Sequence, residues 1–189
     1  MLNSFFDKYI FTNNLKYRNN NFFLMNIPFA IVPVEVLVSI AMQNDAEVKR
    51  ALYQSIKENT RKNLVRQFQL EFGTDKKKAI QLFETFFTAA GWGKIQSIDT
   101  NFETKRAILT VENSPVALAL KGKVSYPVDI MLRSVFAGIF SEVFGENMDC
   151  VESECAAISG DRCKFIIKAE DEFDISKKIV RDQLSFKDL

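Results

Sequence analysis

The stretch MDCVESECAAISGDRCKFIIKA, Met148 to Ala169, decides the reading of this chain. Met148 to Ala157 reads as a strand, Ser159-Gly160-Asp161 as a tight turn, and Arg162 to Ala169 as the returning strand. All three cysteines of the chain, Cys150, Cys155 and Cys163, fall within it. Cys155 precedes the turn and Cys163 follows it, so folding the hairpin brings the two thiols together. Two thiolates and a carboxylate such as Glu152 supply three of the four ligands of a tetrahedral zinc site. Inert buried thiols and a disulfide or redox pair are alternatives that the spacing leaves open. In a regular strand Glu152 and Cys155 point to opposite faces. A shared ion therefore requires a bulge or a strand end between them.

Upstream of the hairpin, Pro127 opens a helix over Val128 to Phe144 with a wide apolar face, stopped by Gly145. Gly138 in its middle costs about 1 kcal/mol relative to Ala, which argues for a close approach by another backbone or a ligand. Lys94 to Glu112 has a period near two and reads as a hairpin turning at Asn101 to Lys105, broken by Asn113-Ser114-Pro115. Lys8 to Lys16 and Asn21 to Phe29 read as strands with asparagine turns. Helices follow over Val34 to Met42, from an Asp45 cap to about Phe72 and Gly73, and from a Thr74 cap to Gly91-Trp92-Gly93. A short helix closes the chain around Ile175 to Leu184. The order predicts an α+β fold, an antiparallel sheet packed against several helices, as a single domain over residues 1–189.

The 189 residues are 47% hydrophobic, with 18 Phe and no His. The absence of histidine excludes Ser-His and Cys-His catalysis and every histidine metal site. A net charge of +1 leaves no electrostatic footprint for nucleic acid. No run reaches the ~18 apolar residues of a membrane span. The amino terminus lacks a signal-peptide pattern, so a cytoplasmic location is the default.

The segment Val151 to Phe165 resembles the signature of the 4-vinyl reductase domain family: Glu152, Cys155 three residues later, a small-residue turn with Gly160, then Cys163 before the aromatic Phe165. Gly91-Trp92-Gly93, Val111-Glu112-Asn113-Ser114-Pro115 and Ala137-Gly138 resemble family landmarks in the same order, so the resemblance covers residues 80–169. It implies a fold shared with TRAPP transport subunits and haem-dependent nitric oxide sensors. In aromatic-sensing regulators with this domain, zinc is held by a Cys near the start of the long helix, then by Glu, Cys and Cys. The last three match Glu152, Cys155 and Cys163; the first falls at about Asp129, which can also bind zinc. Cys150 is the alternative fourth ligand.

The resemblance further implies a binding domain for a hydrophobic or aromatic small molecule, a sensor or carrier, with a structural zinc ion. The expected pocket lies between the helix bearing Phe83, Phe86 and Phe87, with Trp92 at its end, and the helix bearing Phe136 and Phe140. Phenol sensing in those regulators uses a histidine donor that this chain lacks, which argues against phenol itself. The alternative is a protein-interaction scaffold of the TRAPP kind. A role beside tetrapyrrole vinyl reduction is the weakest reading, because no dinucleotide fingerprint is present to supply a hydride. A non-enzymatic homodimer is expected, pairing through the long helices or through the amino-terminal aromatics Phe5, Phe6, Phe11, Phe22 and Phe23.

Overall fold

Asparagine sets the first turns. A computed structural model describes residues 15–24, 26–66 and 75–184. Strands β1 (Leu15–Arg18), β2 (Asn21–Leu24) and β3 (Ile27–Phe29) form an antiparallel sheet. Asn19 and Asn20 have φ of 49° and 62°, the left-handed pair that a two-residue hairpin needs. Residues 8–14 of the first expected strand lie outside the described residues, as do Phe5, Phe6 and Phe11.

Helix α1 (Val34–Ala41) is followed by α2 (Ala46–Asn59), where the Asp45 carboxylate accepts from the N–H groups of Glu47 and Val48. The helical path then widens into a π turn, Thr60–Leu64. The expected stop at Gly73 lies outside the described residues. Helix α3 (Lys76–Ala89) is capped by Asp75 through the N–H groups of Lys77 and Lys78, one residue past the expected Thr74, which also lies outside them.

Strands β4 (Lys94–Asn101) and β5 (Arg106–Glu112) form the expected hairpin. Gly93, at its entrance, passes so close to β5 that a side chain there would meet the Glu112 carbonyl at 2.6 Å. The segment that reads as a simple break is a short helix, α4 (Pro115–Ala119). Pro115 is pre-set for its first turn, and the Ser114 hydroxyl accepts from the Ala117 N–H. Helix α5 runs from Ile130 to Phe144, two residues later than Pro127 predicts. Asp129 keeps a non-helical backbone there, with φ −86° and ψ 52°. Strands β6 (Met148–Glu154) and β7 (Arg162–Ala169) complete an antiparallel sheet in the order β4-β5-β7-β6. β6 stops three residues short of the expected Ala157, because the chain turns at once: Ile158 and Ser159 both donate back to the Cys155 carbonyl. Helix α6 (Lys178–Leu184) ends the described chain.

The architecture is α+β. α5 lies between the sheet and α2 and is buried at almost every position, which explains its lack of a polar stripe. Its buried Ser134 and Ser141 satisfy their hydroxyls on the carbonyls of Ile130 and Ala137. α2 crosses α5 at Gly138, where the Lys57 carbonyl and Thr60 occupy the space that a side chain would need. The approach anticipated at this glycine is made by a backbone.

Candidate metal site and interior cavity

The register of β6 against β7 shifts between Glu152 and Glu154, leaving a bulge at Ser153. This irregularity turns Glu152 and Cys155 to one side, as a shared site demands. One ligand atom each from Glu152, Cys155 and Cys163 lie within 4.8 Å of one another, and all three residues are buried. Such a group could hold a metal ion. Asp129 stands beside it: its Oδ2 is 3.4 Å from the Cys163 sulfur, and its N–H donates to Glu152 Oε2 at 3.0 Å. The Ser114 hydroxyl lies 3.0 and 2.8 Å from the two Asp129 carboxylate oxygens and fixes their orientation. Cys150 does not join the group. It pairs with Ile167, farther along the strand, whereas Cys163 pairs with Val111.

The protonation pattern shows what this arrangement lacks. Glu152 is fully buried, and its Oε1 has no hydrogen-bond donor. Burial first, then the charges of Asp129 and Cys155, hold its carboxyl well above the usual range. Burial also raises Asp129, to about 6, against the pull of the Ser114 bond. Cys155 falls to about 5, chiefly because it accepts from Cys163, with further help from Glu152 and the Ala157 and Val128 N–H groups. Cys163 is driven up by the same bond and by burial. Its single S–H faces two acceptors, the Cys155 sulfur and Asp129 Oδ2, and can satisfy only one. Two buried carboxyls and a thiolate meet with no cation among the described residues, an arrangement costly to leave uncompensated. A bound cation would neutralise it and give Glu152 Oε1 a partner.

The backbone around the cluster is held by side chains. The Gln183 amide accepts from the Glu152 N–H and donates to its carbonyl, at 2.9 and 3.0 Å. Arg133 donates to the Cys150 carbonyl and Tyr53 accepts from the Cys150 N–H. Tyr53 and Lys57 both donate to the buried carboxylate of Asp149, at 2.8 and 2.9 Å. None of Ser114, Tyr53, Lys57, Arg133, Asp149 and Gln183 stands out as a site residue in the sequence. Arg133 carries one available signal, as the only charge in the first three turns of an otherwise apolar helix.

The predicted aromatic pocket is nearly filled. Phe83, Phe87, Phe136 and Phe140 converge on one interior cavity with a volume of about 10 Å³, room for about one water molecule. Phe86 and Trp92 do not line it. They pack edge-on to Phe87, with ring centres 5.4 and 6.3 Å away. The polar wall is Glu84, which accepts from the Ser97 N–H at 2.6 Å and whose carboxyl burial pushes upward.

With this geometry in place, the comparisons with known proteins fall into line. Residues 107–169 match the 4-vinyl reductase domain. The match spans β5 to β7 and bears out the resemblance read from the hairpin. The phenol-responsive sensory domain of the transcription activator PoxR, solved with phenol, is similar in structure: TM-score 0.70, 13% identity, covering 94% of each chain. A vinyl-4-reductase family protein from Methanocaldococcus jannaschii gives a TM-score of 0.47 at 17% identity, covering 74% of this chain and 83% of that one. A trafficking protein particle complex subunit 3 from Naegleria fowleri, covalently bound to palmitic acid, gives 0.46 at 11% identity, covering 71% and 91%. No curated protein matches the sequence. Among the described residues no helix is long and apolar enough to cross a membrane.

Proposed function

We propose that this chain binds a small, largely apolar molecule and that a zinc ion on Asp129, Glu152, Cys155 and Cys163 fixes the base of its binding fold. The observation that carries the ligand reading is the interior cavity ringed by Phe83, Phe87, Phe136 and Phe140 with the single carboxyl Glu84 on its wall. Apolar walls with one placed polar group are the pattern of a small-molecule site. The fold shared with a phenol-responsive domain supports the same class of ligand. Because the cavity has the volume of about one water, an aromatic ligand enters only by rotation of the phenylalanine rings. In the absence of histidine, Glu84 is the group that would meet a ligand donor.

Tetrahedral zinc places oxygen and sulfur ligands about 3.6 Å apart and two sulfurs about 3.8 Å apart. The observed 3.4 Å between Asp129 Oδ2 and Cys163 Sγ is close to that spacing. Four protein donors leave no open position, so the ion's role is structural, tying the start of α5 to the hairpin. We also propose pairing of two copies through β1–β3 and α1, where Leu15, Tyr17, Ile31, Val32 and Val36 are exposed. A concentration-independent monomer mass in light scattering would reject the pairing.

The ligand reading is tested by thermal shift and native mass spectrometry with benzene, toluene, indole and cresols. A ligand at 100 times its Kd stabilises by about 2.7 kcal/mol. Phe136→Trp, which fills the cavity, should abolish the shift. Failure of every arene to bind, with no carried ligand in fresh protein, would leave the cavity as ordinary core and favour the interaction-scaffold reading.

A further inference from the structure

A second concavity, sharing no residue with the aromatic cavity, opens between the end of α1, α2, the Ser125–Val128 loop, the start of α5, and α6, with a volume of about 550 Å³. Its floor is apolar, formed by Tyr126, Pro127, Val128, Ile130 and Ile179. Its charged lining is unbalanced, with Lys49, Arg133 and Lys178 against Asp182 alone.

Arg133 is the unusual member. It is 5% exposed, and its guanidinium lies over the Tyr53 ring at 5.0 Å. Nε donates to the Cys150 carbonyl and one terminal nitrogen to the Gln183 carbonyl, at 3.0 and 2.7 Å. No carboxylate among the described residues pairs with it. Asp149, beyond the Tyr53 ring, is already taken by Lys57 and Tyr53. A buried guanidinium held by two carbonyls keeps donors free and lacks a counter-charge, and a buried charge so placed is costly. Lys49, over the Tyr126 ring at 5.4 Å, is the second cation on the same wall. Burial and the charge of Arg133 both push Lys49 below the usual lysine range, so the two cations oppose each other.

We propose that this groove binds a small organic anion: a carboxylate or phosphate head on Arg133 and Lys49, with an apolar body along Tyr126 to Ile130 and Ile179. Arginine's planar fork suits either head bidentately. The volume falls in the ordinary range for small-ligand sites. The site stands independently of the aromatic cavity and of the metal cluster.

The test is calorimetric titration of the full chain, at fixed ionic strength, with octanoate, octyl phosphate, octanol and inorganic phosphate. Octanoate or octyl phosphate should bind one per chain, with octanol and inorganic phosphate each weaker by about tenfold or more, the scale of one charge-assisted contact. The double variant Lys49→Met/Lys178→Met should lose about tenfold in affinity with an unchanged melting temperature, which separates binding from folding. Ile158→Trp, at the groove's exposed rim, should block the amphiphile. Octanol binding as tightly as octanoate would overturn the anionic head, and inorganic phosphate binding as tightly as octyl phosphate would overturn the apolar body. No binding by either amphiphile, or unchanged binding in the double variant, would overturn the site.

Discussion

A single methyl group at Gly138 tests how α2 is seated on α5. Built onto the backbone, it would stand 2.5 Å from the Lys57 carbonyl and 2.8 Å from the Thr60 Cβ. Both obstacles belong to the segment where α2 passes into the π turn, so neither can yield as a flexible side-chain tip would. Gly138→Ala gains about 1 kcal/mol of helix propensity. Against that, overpacking a close-packed core costs about 1–3 kcal/mol, and a carbonyl met this closely belongs at the upper end. The displacement also falls on Lys57, whose ammonium is buried 2.9 Å from Asp149. Losing that pair outright would cost about 3–5 kcal/mol, so a partial loosening adds about 1 kcal/mol. The net expectation is destabilisation by about 2–3 kcal/mol, a fall in melting temperature of roughly 5–10 °C for a chain of this size. Urea unfolding followed by circular dichroism measures it, with the m-value unchanged. A variant as stable as wild type, or more stable by the helix-propensity gain, would refute the close crossing.

Protein purified without chelator should carry about one zinc per chain by elemental analysis, lost in Cys155→Ser and Cys163→Ser and kept in Cys150→Ser. Zinc retained by Asp129→Ala but lost in Cys150→Ser would reverse the fourth-ligand assignment. In metal-free protein, Glu152 and Asp129 have raised folded pKa values, so their contribution to stability is fully present below about pH 4 and is lost as pH rises, for Asp129 through about 6. Thermal scans in chelator should therefore show this component falling between about pH 4 and pH 7, with a flatter slope in Asp129→Asn. Lys57→Met strands the buried Asp149 and should cost about 3–5 kcal/mol in chemical denaturation, and the double variant Lys57→Met/Asp149→Leu should recover most of it.

The hairpin that carries the site is legible in the sequence because its turn residues and period are local. Glu152, Cys155 and Cys163 follow from it, and the bulge at Ser153 follows from the demand that they meet. Asp129 is legible only through the family resemblance, since its approach depends on how α5 enters the core and on Ser114, which reads as part of a break. The charged residues of the core are not legible. Lys57 sits among Glu and Asn in a helix that reads as amphipathic, and only its spacing of four from Tyr53 shows that both face inward to Asp149. The aromatic cluster is predicted correctly as a meeting point of α3 and α5. Its near-closure is a matter of side-chain packing, which composition does not encode. The groove beneath Arg133 escapes notice for another reason: its walls come from five separate segments.

Strand β6 is an edge strand, and its outward backbone groups belong to Met148, Cys150 and Glu152. The Ser141 hydroxyl accepts from Met148 N–H and lies 3.4 Å from its carbonyl; Tyr53 and Arg133 take Cys150; Gln183 takes Glu152. Side chains from three helices thus occupy the line along which a further strand would zip. An exposed row of unpaired peptide groups is a template for sheet-to-sheet aggregation, and here the template is already read. At the opposite margin, β4 carries an irregularity between Ser97 and Asp99 that spoils its pairing line. The four-stranded sheet is therefore closed to growth at β6 and discouraged from it at β4, which leaves side-chain surfaces, rather than shared backbone ladders, as the means by which one copy can meet another.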